Sequence, residues 1–251
     1  MLILVQLKSF NNILMYMKKN LLIGTAAVLC SSSVFAGSFQ LNLQGIRQTA
    51  MGGSGTAKVW DASTLFFNPA GLSQINGIQG YVSGYALQPS VSYSQYPTTS
   101  YQVEAQQQLS TPFAAYVGGR VKHNSRLGVG VGIYTPFGSS ADWGNNWAGR
   151  YIVQNISLQS IFVQPTVSYQ FTESFSVGVG LVYGFGNMEI NKALPITFQD
   201  GSEANARLKG NANGWGVNIG AQYKPNDRLQ FGLNFRSGVK MSVDNGTANF
   251  H

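Results

Sequence analysis

The chain has 251 residues; 10% are charged, roughly half the usual share, while 44% are hydrophobic, 12% are aromatic and 30 residues are glycine. Low charge points to apolar surroundings, yet no internal run approaches the ~20 apolar residues of a spanning helix, which leaves a barrel of alternating strands as the common membrane solution. The formal charge of +7 is scattered, with Lys8, Lys18 and Lys19 near the start and Arg120, Lys122, Arg207 and Lys240 standing singly, so no basic stripe for nucleic acid forms.

Residues 1–36 read as a leader, of which 1–16 form an upstream extension. Met17-Lys18-Lys19-Asn20 is a positive start, Leu21 to Leu29 an apolar run, and Ser31 to Ala36 a small-residue cleavage pattern ending at Ala36. Cys30 follows Leu29, where a lipid-anchor pattern wants a small residue, so it belongs to the discarded leader. The chain that remains has no thiol for a disulfide or a metal.

Residues 37–76 lack a strand period, and 77–251 are rich in it. Phe175, Val177, Val179, Leu181, Tyr183 and Phe185 share one face, opposite Ser176, Gly178, Gly180, Val182 and Gly184. Trp215, Val217, Ile219, Ala221 and Tyr223 repeat the pattern, as do Leu229, Phe231, Leu233 and Phe235, and Leu127, Val129, Val131 and Ile133. The second faces are mostly Gly, Ser, Gln and Asn rather than charges, which suits a wet enclosed lumen better than open solvent. Strands are expected near 77–88, 112–122, 126–135, 157–171, 174–187, 213–224 and 228–237. Short turn-like links follow Lys122, Phe171 and Lys224, and long ones span 89–111, 136–156 and 188–212. Short turns on one side and long loops on the other predict an all-β transmembrane antiparallel β-barrel in the outer membrane. About seven strands is an incomplete barrel, since bacterial single-chain barrels have an even number from eight upward. Gly246 to His251 read as the start of an external loop.

Catalysis has no support. The histidines are His123, in a short turn, and His251; Ser54 lies outside a nucleophile-elbow pattern, Gly55-Thr56-Ala57-Lys58 outside a phosphate loop, and no metal-ligand spacing is visible. No catalytic residue, cofactor or metal is therefore assigned.

The run Asp61-Ala62-Ser63-Thr64-Leu65-Phe66-Phe67-Asn68-Pro69-Ala70-Gly71-Leu72 resembles the N-terminal signature of the FadL / OmpP1 / TodX family, outer-membrane transporters of long-chain fatty acids and aromatic hydrocarbons. Gly132-Ile133-Tyr134-Thr135-Pro136-Phe137-Gly138 and Trp147-Ala148-Gly149-Arg150-Tyr151 are similar to its third strand and the approach to its fourth. The resemblance runs from Gly37 onward and matches about the first half of a family member. It implies an N-terminal hatch over 37–76, plugging a partial barrel over 77–251. Asn68, Pro69, Ala70 and Gly71 would lie in that hatch, holding its shape in preference to touching substrate. A lateral opening is expected beside Gly128, Gly130, Gly132 and Pro136, which weaken or interrupt strand pairing. Trp143 and Trp147 would line an external apolar groove or anchor the lipid interface. Arg150 would meet a ligand carboxylate or pack a loop; Arg120 and Arg236 would meet a carboxylate or form lumen salt bridges. The implied partners are a hydrophobic small molecule, outer-membrane lipid and the barrel assembly machinery, with a monomer expected at full length. A general porin-like barrel and a soluble secreted ligand-binding barrel are the alternatives.

Overall fold

The computed structural model describes residues 43–96, 100–122, 125–199 and 201–250; the leader, and His123 and Asn124 of the first short turn, lie outside them. The strands in chain order are β1 (Ile78–Gly84), β2 (Ser92–Ser94), β3 (Gln102–Glu104), β4 (Phe113–Arg120), β5 (Leu127–Tyr134), β6 (Gly138–Asp142), β7 (Asn155–Thr172), β8 (Phe175–Thr197), β9 (Glu203–Asn226), β10 (Leu229–Arg236) and β11 (Ser242–Phe250). One antiparallel sheet forms the wall, in the order β1-β4-β5-β7-β8-β9-β10, with β6 also on β7 and β11 also on β9; β2 and β3 pair in a separate hairpin. These seven wall strands are the seven that the alternation predicts. Tight turns join them: Asn226 Oδ1 accepts from the Arg228 and Leu229 amides, both at 2.9 Å, closing the β9–β10 turn.

Burial in this sheet is inverted relative to a water-soluble protein. Val82, Leu233 and Trp215 are 76%, 74% and 67% exposed, whereas Gln164, Asn218 and Gln222 are 0–1% exposed. The exposed apolar side chains align from strand to strand. Val82, Ala115, Ile133, Val163, Tyr183 and Trp215 form one continuous row across six strands. Farther along the same strands, on the same face, the row Gln159, Asn187 and Asn211 is polar throughout. The apolar belt on β8 therefore runs from Phe175 to Phe185, close to the ~9–11 tilted residues that cross a bilayer. No helix among the described residues is long and apolar enough to cross a membrane; the crossing elements are strands.

Beyond the belt the structure departs from the expected loops. The stretch 188–212 is a continuation of the β8–β9 hairpin, whose connection shrinks to 198–202. There the outer face is polar, and cross-strand pairs hold it: Glu189 meets Arg207 at 2.6 Å and Lys209 at 3.4 Å. The alternation there is reversed: Glu189, Asn191, Asn205, Arg207 and Lys209 lie on the outer face and Met188, Ile190, Ala204, Ala206 and Leu208 on the inner one, so no apolar outer row marks this part of the hairpin. Residues 246–250 are also strand rather than loop, because β11 resumes pairing with β9 after a break at 237–241. The 89–111 and 136–156 links likewise contain β2, β3 and β6.

Among the described residues β1 and β10 are the lateral edges of the sheet, and both run from the short-turn side to the long-loop side. Direct pairing of these two edges would be parallel, so antiparallel closure takes an odd number of further strands. A charge discriminates the lipid belt from the outer face beyond it. Leu181→Arg is expected to cost about 2–4 kcal/mol in lipid, and Asn187→Arg about 0–1 kcal/mol, measured as shifts in urea unfolding in vesicles.

Candidate functional site

Residues 43–76 pack against the inner face of the wall. Helix α1 (Ile46–Ala50) is a single turn closed by Gly52 and Gly53, whose φ values of 69° and 85° suit glycine, and the Gly53 amide reaches the Gln48 carbonyl at 2.7 Å. Asp61 Oδ1 accepts from the Ser63 amide at 2.9 Å at the entry to α2 (Thr64–Phe67). Pro69 holds Asn68 extended, at φ −161°, and a 3-10 turn follows over Pro69–Gln74. Helices this short leave most of their carbonyls without an internal partner.

The wall satisfies them. Gln164 of β7 donates to the Leu65 carbonyl at 2.9 Å and accepts from the Tyr134 hydroxyl at 2.8 Å. Asn218 of β9 donates to the Phe66 carbonyl at 2.9 Å, and Gln222 to the Thr56 carbonyl at 3.1 Å. Ser168 of β7 donates to the Ala70 carbonyl at 3.0 Å. In the other direction, Asn68 donates to the Thr56 carbonyl at 2.7 Å, the Ala221 carbonyl of β9 at 3.0 Å and the Leu233 carbonyl of β10 at 3.4 Å. Its Oδ1 accepts from the Ala70 amide at 3.1 Å. The polar inner face predicted as a wet lumen is thus, over this region, a set of donors aimed at the main chain of residues 43–76, the described part of the segment expected as a hatch. Gln164, Asn218, Gln222 and Ser168 escape sequence reading as site residues, because their alternation marks a polar face without saying what covers it.

The inner-face glycines make room for this contact. A Cβ at Gly178 would lie 2.4 Å from the Pro69 carbonyl carbon, one at Gly220 1.9 Å from Asn68 Oδ1, and one at Gly232 2.2 Å from the Thr56 oxygen. The same reason corrects the expectation for Gly128, Gly130 and Gly132. These do not interrupt pairing: β5 is laddered to β4 and β7 throughout, and added side chains would strike Ser73, Leu65 and Tyr116. Gly71 is packed just as tightly, against Thr64 and Val59. Asn68, Pro69 and Ala70 are buried with it.

The interruption lies at the next residues. Tyr134 pairs with Phe162 but Gly138 with Gln159, so Thr135, Pro136 and Phe137 bulge opposite Ser160 and Ile161. Proline lacks the amide a ladder needs. Gln44 of the hatch reaches into this break, donating to the Thr135 carbonyl at 3.0 Å. Past it, β6 pairs with β7 on one side. Across the other side, among the described residues, run the Gln106–Asp142 bridge and a Ser140–Gln108 side-chain bond.

The five remaining candidates separate into three places. Trp143 stacks on Trp147 with centroids 4.7 Å apart, and Tyr93 of the β2–β3 hairpin meets Trp147 edge-on at 5.7 Å. Trp147 is buried and its Nε1 donates to the Val153 carbonyl at 2.7 Å, so this side chain packs an external loop and is not a lipid anchor. Arg150 clasps Glu203 through two bonds of 2.8 and 2.9 Å, joining that loop to the tip of β9. Hydrogen bonds from Arg150 and then Tyr151 pull the Glu203 carboxyl down to about 2. Arg120 donates to the Ser73 carbonyl and to Gln170 Oε1, the latter at 2.7 Å; Arg236 donates to the Phe66 carbonyl. Among the described residues neither of these two is in an ion pair, which corrects the lumen salt bridge expected as one alternative. No cluster of three or more His, Cys, Asp or Glu residues occurs among the described residues.

Residues 27–251 match the family described as outer membrane protein transport protein (OMPP1/FadL/TodX). The chain belongs to this family. It is 28% identical to an outer-membrane protein of Neisseria meningitidis serogroup B, over 90% of this chain and 54% of that protein. It is 24% identical to the long-chain fatty acid transport protein of Salmonella typhi, over 87% and 54%. The chain thus spans about half the length of these FadL-family relatives. Two solved structures share the fold: a Pseudomonas aeruginosa FadL homologue (TM-score 0.62, 18% identity, 81% of this chain and 53% of that one) and the Pseudomonas putida toluene transporter TodX (TM-score 0.60, 16% identity, 81% and 60%). Like the FadL family at large, the protein belongs to the outer membrane.

Two outcomes follow from this geometry. Asn68→Asp sets a carboxylate against three carbonyls and is expected to destabilise the seated hatch by about 1–3 kcal/mol or more, read as faster proteolysis between 54 and 76 in detergent. For Glu203 the folded value lies below the ordinary carboxylate value, so its tether is present above about 4.5 and is lost as pH falls toward 2. Tryptophan fluorescence of the 143–154 loop is expected to change across that window, and Glu203→Gln to abolish the change.

Proposed function

We propose that this chain forms the hatch-bearing part of an outer-membrane channel for hydrophobic compounds. The observation that carries the reading is the break in the third wall strand at Thr135–Phe137, where a hatch side chain, Gln44, occupies the interrupted ladder. A hatch residue seated in a wall break links the position of the plug to the state of the opening. The external aromatic cluster of Tyr93, Trp143 and Trp147 is the capture site, and the lumen above the hatch receives the ligand. Exit is sideways, past β6 and Pro136 rather than through the laddered stretch of Gly128 to Gly132. Sideways release suits such cargo, because each CH₂ kept out of water is worth about 0.8 kcal/mol.

Named relatives carry long-chain fatty acids or toluene, and the cargo here is assigned to the same broad class. The chain has no catalytic role in this reading. Its apolar belt is embedded in outer-membrane lipid, the barrel assembly machinery inserts it, and the closed barrel acts as a monomer.

The gap beside β6 is directly testable, since Cys30 is the chain's one cysteine. In cells producing Gln108→Cys with Ser140→Cys, a short bis-maleimide is expected to bridge the gap and lower uptake of labelled oleate or toluene about tenfold or more. Uptake that persists at full rate in the bridged protein refutes lateral exit at this place.

A further inference from the structure

The two ends of the lipid belt differ. At the short-turn end the outer face stays aromatic up to the turns, where Phe171, Phe175 and Tyr223 are exposed. At the long-loop end β8 and β9 run on past the belt, and their outer face changes in steps. Tyr183 and Trp215 make the last cross-strand pair of two aromatic rings, with centroids 4.4 Å apart. Phe185 then pairs with Asn213, and the next row is the amide row Gln159, Asn187 and Asn211. Glu189 and Lys209 face each other one step farther out, followed by Arg207. Each step of two residues is about 7 Å along a strand, so the amides stand at the headgroups of the external leaflet.

The three amides are exposed, and none of their side chains has a hydrogen-bond partner among the described residues. The charges beyond them do not balance within their own group. Oε1 of Glu189 takes Arg207 Nε at 2.7 Å and Nη2 at 2.6 Å, while Oε2 meets Lys209 Nζ at 3.4 Å. Two cations thus share one carboxylate. Arg207 spends two donors on a single oxygen, and the Lys209 contact is too long for a strong hydrogen bond. A row of amides suits sugar hydroxyls, because each amide both donates and accepts. A guanidinium beside an ammonium suits phosphate, and rings at the belt edge suit the boundary between acyl chains and headgroups. The external leaflet of an outer membrane is made of acylated, phosphorylated sugars, and the three steps meet such a lipid in order.

We infer that the outer face of the β8–β9 overhang binds the phosphorylated saccharide headgroup of an external-leaflet glycolipid. Acyl chains lie on Tyr183 and Trp215, sugar hydroxyls meet the amide row, and a phosphate takes Arg207 and Lys209 in competition with Glu189. The site is on the lipid side of the wall, continuous with the belt, and does not depend on what the interior carries.

The test uses the heat-modifiable protein extracted from outer membranes in neutral detergent and freed of lipid. It is titrated with diphosphorylated lipid A, with dephosphorylated lipid A and with phosphatidylglycerol, and bound lipid is read by native mass spectrometry. Diphosphorylated lipid A is expected to bind about tenfold more tightly than either of the others, and Arg207→Gln with Lys209→Gln to remove that preference. Glu189→Gln, which deletes the competing carboxylate, is expected to tighten binding about twofold to fivefold. A merely structural ion cluster predicts the opposite for that variant, so weaker or unchanged binding overturns the site. If the double variant does not fold, Lys209→Gln alone and Glu189→Gln carry the comparison. Equal binding of the three lipids by the wild type overturns the headgroup assignment. A lipid-free dimer that is lost in the double variant gives the face to a second copy of the chain and overturns it as well.

Discussion

Main-chain carbonyls must find donors, and the short helices of residues 43–76 cannot provide them internally. Everything on the inner face of the wall follows from that constraint. Gln164, Asn218, Gln222 and Ser168 are fixed on rigid strands at the positions where Leu65, Phe66, Thr56 and Ala70 need them. Each amide can satisfy a group that would otherwise cost about 1–3 kcal/mol when buried. The glycines between them let the hatch approach to contact distance, which no larger residue would permit at Gly178, Gly220 or Gly232.

The same strands meet the opposite demand on their outer face, where water is absent and nothing polar is needed. Period-2 geometry lets one strand serve both surroundings, with Phe175, Val179 and Leu181 pointing to lipid and Ser176, Gly178 and Gly180 to the hatch. Where the belt ends, beyond Phe185, the outer face becomes polar in a single row that crosses β7, β8 and β9. Odd strand number sets a further condition. Both edges of the sheet run the same way, so neither joining β1 to β10 nor joining two copies in the same orientation completes an antiparallel barrel.

Much of this was legible in the sequence, for identifiable reasons. Seven wall strands could be read because lipid and the packed inner segment impose opposite chemistry on alternate residues. The overhang of β8 and β9 was not legible, since its outer face turns polar beyond the lipid, at Glu189, Arg207 and Lys209, and the apolar residues Ile190, Ala206 and Leu208 move to the inner face. β6 and β11 were hidden by the breaks that precede them, at Pro136 and at 237–241. The arginines illustrate a different limit. Arg120 and Arg236 were placed correctly on the inner face, but a neutral backbone acceptor has no signature in the amino-acid letters. Gly128, Gly130 and Gly132 had the right residue type and were given the wrong reason: close approach, rather than weakened pairing.

The bonds of Asn68 also set an order of events. Two of its acceptors, on Ala221 and Leu233, lie 153 and 165 residues farther along the chain. The plug is therefore synthesised first and seated last, after the ninth and tenth strands exist to receive it. Contacts that distant are slow to form because loop closure must precede any reward. Until then Leu65, Phe66 and Phe67 lack the wall that buries them, and their apolar surface is left uncovered.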